Sequence, residues 1–147
     1  MRILLSLLVV TAVGSSGLPA YARDTRHELP IEKALERGRS EGKLDGSVKF
    51  YFGKTATPKV LSKLDQDVAN RKTNGLGKSD EEACTWVMLS CLLALQESAK
   101  ERGANAVIGI ESYYKQKVFV SETSYECHAG TFVTGVALRG TYAKVAK

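Results

Sequence analysis

The fold is decided by residues 79–110, which read SDEEACTWVMLSCLLALQESAKERGANAVIGI. Ser79 and Glu82 form a capping box, in which each side chain can satisfy a free backbone N–H group at the start of a helix. Gly103 is the residue type that most often ends a helix, because it adopts the left-handed conformation without strain. These signals predict a long helix over residues 80–102, followed directly by a strand.

The part of this helix between Ala83 and Leu95 is apolar on nearly every side. A helix that is apolar all round cannot leave one face in water. We expect a sheet to cover one side, and either a further layer of the same domain or a neighbouring subunit to cover the other. The pattern therefore predicts a homo-oligomer that assembles through this part of the helix.

Apolar alternation predicts strands on both sides of the helix. Residues 47–53, 104–113 and 131–145 alternate as half-buried strands do. Residues 115–125 could form a hairpin arm or a loop. Residues 57–74 are ambiguous, because their apolar side chains recur at helical spacing and periodicity alone indicates a helix.

The sequence of residues 23–45 predicts a polar N-terminal segment, called the lead-in here, followed by a short helix. Pro30 suits the first turn of that helix, and Gly38 is the expected stop. His27 lies in the lead-in and is expected to be exposed to solvent. The remaining residues, 46–147, predict a single α+β domain.

Residues 1–22 have the pattern of a cleaved export signal. Arg2 supplies a positive start, an apolar run follows, and Ala20 and Ala22 provide the small residues of a cleavage site. The apolar run is shorter than the ~20 residues that a permanent membrane span requires. We therefore expect a mature chain that begins at Arg23, without an integral membrane anchor, in the periplasm of a Gram-negative bacterium or secreted.

The formal net charge is +5, with cations scattered among acids. A basic balance favours anionic envelope polymers or lipid head groups only weakly when it is spread in this way. No basic stripe interleaved with aromatic residues is present, so no nucleic-acid partner is predicted. The expected function is that of a non-catalytic binding or interaction domain, with a possible protein partner in the envelope.

The chain has three cysteines. Cys84 and Cys91 lie two turns apart on the predicted helix, so their Cα atoms are ~10.5 Å apart. A disulfide needs less than ~7 Å, so these two cannot pair with each other. In an oxidising compartment Cys127, which is expected in the loop before the last strand, should pair with one of them. These residues alone leave both pairings open.

Two short motifs have a functional and a structural interpretation. Gly77, Lys78 and Ser79 imitate the end of a phosphate-binding loop, but Lys72 stands where that loop needs its first glycine. These three residues are therefore expected to form a simple turn and helix cap, and a nucleotide-binding ATPase is a remote alternative function.

Cys127 and His128 are weak candidates for metal ligands, because adjacent residues rarely face one ion. A metal- or redox-responsive protein is the nearer alternative, and no cofactor is expected.

Residues 99–110, AKERGANAVIGI, resemble the A-x-x-x-G-A-[ND]-A-V-[VI]-G-[IV] turn of the YbjQ-like family, also called heavy-metal-binding domains. Residues 140–144, GTYAK, resemble the G-T-A-V-K end of that family's last strand, with Tyr142 intervening. The resemblance covers residues 79–145. It implies a two-layer α+β fold, with a small, mainly antiparallel sheet packed on one long helix, and assembly into rings. Members of this type are expected to carry an excinuclease ATPase-like name.

The same core resembles the Rcs envelope stress-sensor lipoproteins. That resemblance implies a strand, rather than a helix, over residues 61–73. It also implies a disulfide between a cysteine near the helix start and one just before the final strand, which here are Cys84 and Cys127. Cys91 would then be a buried free thiol.

Overall fold

The computed structural model describes residues 23–147, so the predicted export signal lies outside the described residues. The elements are β1 (Thr25–Pro30), α1 (Ile31–Ser40), β2 (Lys49–Phe52), β3 (Val60–Asn74), α2 (Asp80–Glu101), β4 (Ala106–Ser112), a short 3-10 turn (Tyr114–Gln116), β5 (Ser124–Ala129) and β6 (Val133–Val145). The α+β class is confirmed. The sheet is larger than predicted, with six strands, and a second helix accompanies the long one.

Strand β6 is the centre of the sheet. Strand β3 lies along one of its edges, while β5 and then β4 lie along the other. Strand β1 extends the sheet beyond β5, and β2 extends it beyond β4. Only the β2–β4 pair is parallel, so the sheet is mixed but mainly antiparallel, as predicted.

Helix α2 begins and ends close to the predicted residues. The Ser79 hydroxyl accepts a hydrogen bond from the backbone N–H of Glu82 at 3.1 Å, which satisfies one of the free donors of the first turn. Gly103 follows the helix with a φ of +68°, the left-handed conformation that glycine adopts at low cost. The Ser79 cap at the start of the helix and the Gly103 stop after it are confirmed.

Helix α1 supplies the second cover of α2. Gly38 marks the contact, since a Cβ atom there would come within 2.6 Å of Leu44 and 2.7 Å of Leu89. Gly38 was expected to end α1 but lies inside it, because a small residue is needed where the two helices meet. The sheet covers the other side of α2. The apolar surface of α2 that stays accessible to solvent is a narrow stripe, which contains Trp86 and the half-buried Leu93.

Residues 60–74 form a strand, as the lipoprotein resemblance implied, and the helical periodicity was misleading. Register shifts between Val60 and Ser62, and between Lys63 and Gln66, each insert an extra residue into β3 relative to β6. A bulge of this kind displaces the two-residue alternation of a strand. Two bulges in close succession therefore spread the apolar side chains at intervals that imitate a helix.

The N-terminal segment is not the free lead-in that the sequence indicated. Residues of β1 pair with β5 in antiparallel register, from Thr25 opposite Ala129 to Pro30 opposite Ser124. Leu29 packs against the main hydrophobic core. Strand β1 and helix α1 thus share the sheet and the core of residues 46–147.

Candidate functional site

Cys84 and Cys127 form a disulfide, with their Cα atoms 5.9 Å apart. Both residues are fully buried, and the bond joins the first turns of α2 to strand β5. The pairing implied by the resemblance is confirmed. The position of Cys127 is corrected: it was expected in a loop before the last strand and lies within strand β5.

Cys91 is a buried thiol on the face of α2 that meets the sheet. Its S–H group lies 3.3 Å from the carbonyl oxygen of Val136 and 3.6 Å from that of Ala69, both of which can accept a weak hydrogen bond. Burial raises the pKa of this thiol to about 12, because the apolar surroundings disfavour the thiolate. Such a thiol is a poor nucleophile and a poor metal ligand.

Cys127 and His128 point to opposite faces of the sheet, as successive residues of a strand must. The imidazole Nδ1 of His128 lies 2.9 Å from a carboxylate oxygen of Asp24, and its Nε2 lies 2.5 Å from one of Glu126. The ring stacks on Tyr114 with 3.8 Å between centroids. The structure therefore does not bring the two candidate metal ligands together, and each is already engaged in another interaction.

The carboxylate of Glu126 is held in its charged form at the edge of this cluster. Burial alone would raise its pKa, but hydrogen bonds from His128 and Arg26 outweigh burial, and the pKa of Glu126 is lowered. Within residues 23–147 no group of three or more His, Cys, Asp or Glu side chains is arranged to hold a metal ion. The cluster instead joins the N-terminal strand to the body of the sheet.

His27 takes part in a second cluster, whereas the sequence placed it free in solvent. Its Nε2 lies 2.8 Å from a carboxylate oxygen of Asp80, the first residue of α2. The guanidinium of Arg23 donates to both oxygens of the same carboxylate, at 2.8 and 2.9 Å. Hydrogen bonds from Arg23 and then His27 hold the pKa of Asp80 well below its usual range.

Replacing Asp80 by asparagine is expected to lower the free energy of unfolding at neutral pH by up to about 1 kcal/mol, since partly exposed ion pairs contribute little. The folded-state pKa of Asp80 is lowered, so its stabilisation is complete above the unfolded pKa of about 3.9 and disappears as pH falls through the folded value. Urea unfolding from pH 7 down to pH 3 should show the deficit of Asp80→Asn shrinking with acid. Glu36→Gln, on the exposed face of α1, is the control, and a deficit of Asp80→Asn that is constant across this pH range would contradict the interpretation.

The residues that imitate a phosphate-binding loop have structural roles. Gly77 has a φ of +74°, which suits a tight turn. The ammonium of Lys78 donates to the carbonyl of Asn74 at 3.4 Å, and Ser79 caps α2. The strand before them, β3, is antiparallel to its neighbour, unlike the buried parallel strand that precedes a phosphate-binding loop.

The outer face of the sheet, opposite α2, carries features that the sequence did not indicate. Tyr114 lies over this face, where an added Cβ on Gly135 would come within 3.3 Å of its ring. Lys115 and Gln116 have φ values of +50° and +62°, which are unusual for residues with side chains. Neither residue is of a type that signals this conformation, so sequence reasoning had no means of finding the turn.

A further surface lies at one end of the sheet, where the turn after β3 meets the turn before β6. The N–H of Gly75 donates to the carbonyl of Phe132 at 2.9 Å and joins the two turns. Large apolar side chains are exposed here: Leu76 at 57%, Phe132 at 64% and Val133 at 51%. We call these three residues the apolar tip. Leu76 lies in the turn after β3, Phe132 precedes β6 and Val133 begins β6, so the fold places residues from distant parts of the chain at the same end of the sheet.

Comparison of the chain with protein-family models, with curated proteins and with solved structures found no match. The resemblance to the YbjQ-like family and to the stress-sensor lipoproteins therefore stays a prediction. In the part of the chain that the structure describes, no helix is long and apolar enough to cross a membrane.

Proposed function

We propose that this chain is an exported, non-catalytic interaction domain that works in the periplasm or outside the cell. The observation that carries the proposal is the Cys84–Cys127 disulfide, which lies inside the core between α2 and β5. Structural disulfides persist in oxidising compartments and are rare in the reducing cytosol. The bond therefore supports export, in agreement with the signal pattern of residues 1–22.

The apolar tip supports an interaction role. Scattered single apolar residues are normal on protein surfaces, but contiguous exposed apolar side chains mark contact sites. Leu76, Phe132 and Val133 are each more than half exposed. The turns that carry Leu76 and Phe132 are joined by a hydrogen bond, and Val133 is the first residue of β6. A protein partner in the envelope would bury them.

Self-association is the second part of the proposal. The sequence located it on α2, but α1 covers most of the surface that α2 would offer to a second copy. Trp86, which is 37% exposed, is the largest side chain left on that surface. The Arg37 guanidinium carbon lies 5.1 Å from the Trp86 ring centroid, and the Lys43 ammonium nitrogen lies 4.5 Å from it. The stripe of Trp86 and Leu93 therefore offers only a small apolar area for self-association. A stable dimer needs additional contact surface elsewhere on the protein.

Expression of the full chain from Met1, with a C-terminal tag, tests both parts. We expect a product that begins at Arg23 and exposes one titratable thiol when it is unfolded without reductant, because only Cys91 is free. Added zinc or copper should not change that number. Sedimentation at micromolar concentration should show a mass above that of the monomer. An unprocessed chain with all of its thiols titratable would overturn export, and a stoichiometrically bound metal would favour the metal-responsive alternative.

A further inference from the structure

Strand β3 presents the longest free edge of the sheet. It spans Val60–Asn74 and, among the described residues, pairs along one edge only, with β6. The other outermost strands are short: β1 covers Thr25–Pro30 and β2 covers Lys49–Phe52. A long strand edge with unpaired backbone groups is a template for a further strand.

Near the middle of this edge, two backbone groups are bonded by side chains of β3 itself. The N–H of Val68 donates to the carboxylate of its neighbour Asp67 at 2.8 Å. The carbonyl of Asn70 accepts from the guanidinium of its neighbour Arg71 at 3.0 Å. Because backbone groups in an antiparallel ladder alternate in direction, Val68 and Asn70 both face the free edge. These local bonds are exposed to solvent and can be exchanged for bonds to another strand.

The charges along β3 make it complementary to itself. Asp65 and Asp67 precede Val68, whereas Arg71 and Lys72 follow it. A second copy in antiparallel orientation, with a two-fold axis at Ala69, places Arg71 of each copy opposite Asp67 of the other. An axis at the adjacent Val68 places Arg71 opposite Asp65 instead, which lies in the bulge of β3 and already binds Arg102. Opposite charges facing each other across neighbouring strands stabilise the pairing.

We propose that two copies of this chain pair through their β3 edges, antiparallel and about a two-fold axis near Val68, to form one continuous sheet. The proposal rests on the self-association proposed above and identifies its surface. The bulge between Lys63 and Gln66 limits regular pairing to the stretch from Gln66 to Asn74. Val68 is 42% exposed and would be covered by the second copy. A partner of unrelated sequence would have to reproduce the charge order that β3 already contains.

Cysteine cross-linking tests the geometry. Directly opposed residues in the proposed pairing have Cα atoms about 5.5 Å apart, within the range of a disulfide. An axis at Val68 predicts that Val68→Cys links to itself under mild oxidation. An axis at Ala69 predicts a link only when Val68→Cys is mixed with Asn70→Cys. Lys49→Cys, on the exposed part of β2, is the control that should stay unlinked.

Charge reversal tests the recognition. Arg71→Glu places an acid opposite Asp67 or Asp65 of the other copy, and Lys72→Glu removes the neighbouring cation. The double variant should raise the dissociation constant of the dimer about tenfold or more. Lys54→Glu combined with Lys117→Glu changes the net charge equally, away from β3, and should leave the dimer intact. All four side chains are exposed, so none of the substitutions should disturb the core. The midpoint of thermal unfolding, measured at low protein concentration, checks that each variant is folded.

The outcomes separate the two proposals. A chain that stays monomeric at every concentration overturns self-association and the β3 pairing together. A dimer that neither cross-links at Val68 or Asn70 nor responds to charge reversal on β3 leaves self-association standing and rejects the β3 edge. The stripe of Trp86 and Leu93 would then be the surface to test.

Discussion

Replacing Cys84 and Cys127 together by alanine is expected to lower the free energy of unfolding by about 4 kcal/mol in the chain-entropy account of disulfides. The bond closes a loop with a sequence separation of 43, so it removes many open conformations from the unfolded chain. Domains of this size are commonly stable by only about 5–15 kcal/mol, so the loss would be a large fraction of the total. Urea unfolding of the oxidised protein and of the double variant measures it.

Cys91→Ala is the matched control, because it also removes a buried sulfur from α2. We expect a smaller loss from it, on the order of 1 kcal/mol, since no covalent link is broken and only a small side chain is truncated. Treating the unfolded wild-type protein with reductant before refolding should reproduce the deficit of the double variant. Equal losses from Cys91→Ala and the double variant would show that the disulfide contributes no more than ordinary packing.

Replacing Gly38 by leucine is expected to destabilise the protein by about 1–3 kcal/mol, the usual effect of overpacking a core. An added Cβ alone would come within 2.6 Å of Leu44 and 2.7 Å of Leu89, and the rest of the side chain has no space. Leucine favours a helix over glycine by about 1 kcal/mol, so a net loss would mean that packing outweighs propensity. Chemical unfolding measures the change, and the fluorescence of Trp86 reports whether α1 has moved.

The control is Glu36→Leu, on the exposed face of the same helix. It gives a similar gain in side-chain volume without a neighbour to displace, so we expect a change within about 0.5 kcal/mol. If Gly38→Leu were as stable as the wild-type protein, α1 would be loosely attached. A second copy could then displace it and cover α2, as the sequence alone allowed.

The long helix could be predicted because its signals are local. The Ser79 cap, Gly103 and the apolar run between them all lie within α2 or next to it, and tertiary packing agrees with them. Strand β3 could not be predicted from periodicity, since its bulges exist only in relation to β6. Strand β1 was missed for a similar reason: its polar residues alternate with half-buried ones only because β5 lies beside it.

The disulfide of the candidate site could be predicted from the sequence, but the hydrogen bonds and ion pairs around His128 could not. Helical geometry excluded a bond between Cys84 and Cys91. The resemblance to the stress-sensor lipoproteins then favoured Cys84, rather than Cys91, as the partner of Cys127. Successive side chains of a strand point to opposite faces of the sheet. If β5 had been recognised as a strand, Cys127 and His128 would have been predicted to lie on different faces. The partners of His128, Asp24 and Glu126, come from different parts of the chain, so no local pattern could identify both of them.

The pairing of β1 with β5 bears on the export proposed above. Thr25 faces Ala129, so the segment nearest the start of the described chain finds its neighbour close to the other end. Ribosomes release the N-terminal part first, and contacts between distant residues form slowly. The sheet can close only after nearly the whole polypeptide has been made. If the chain is exported as proposed, this order of synthesis would leave it open for passage through a narrow translocation channel, with oxidation of its cysteines following on the far side.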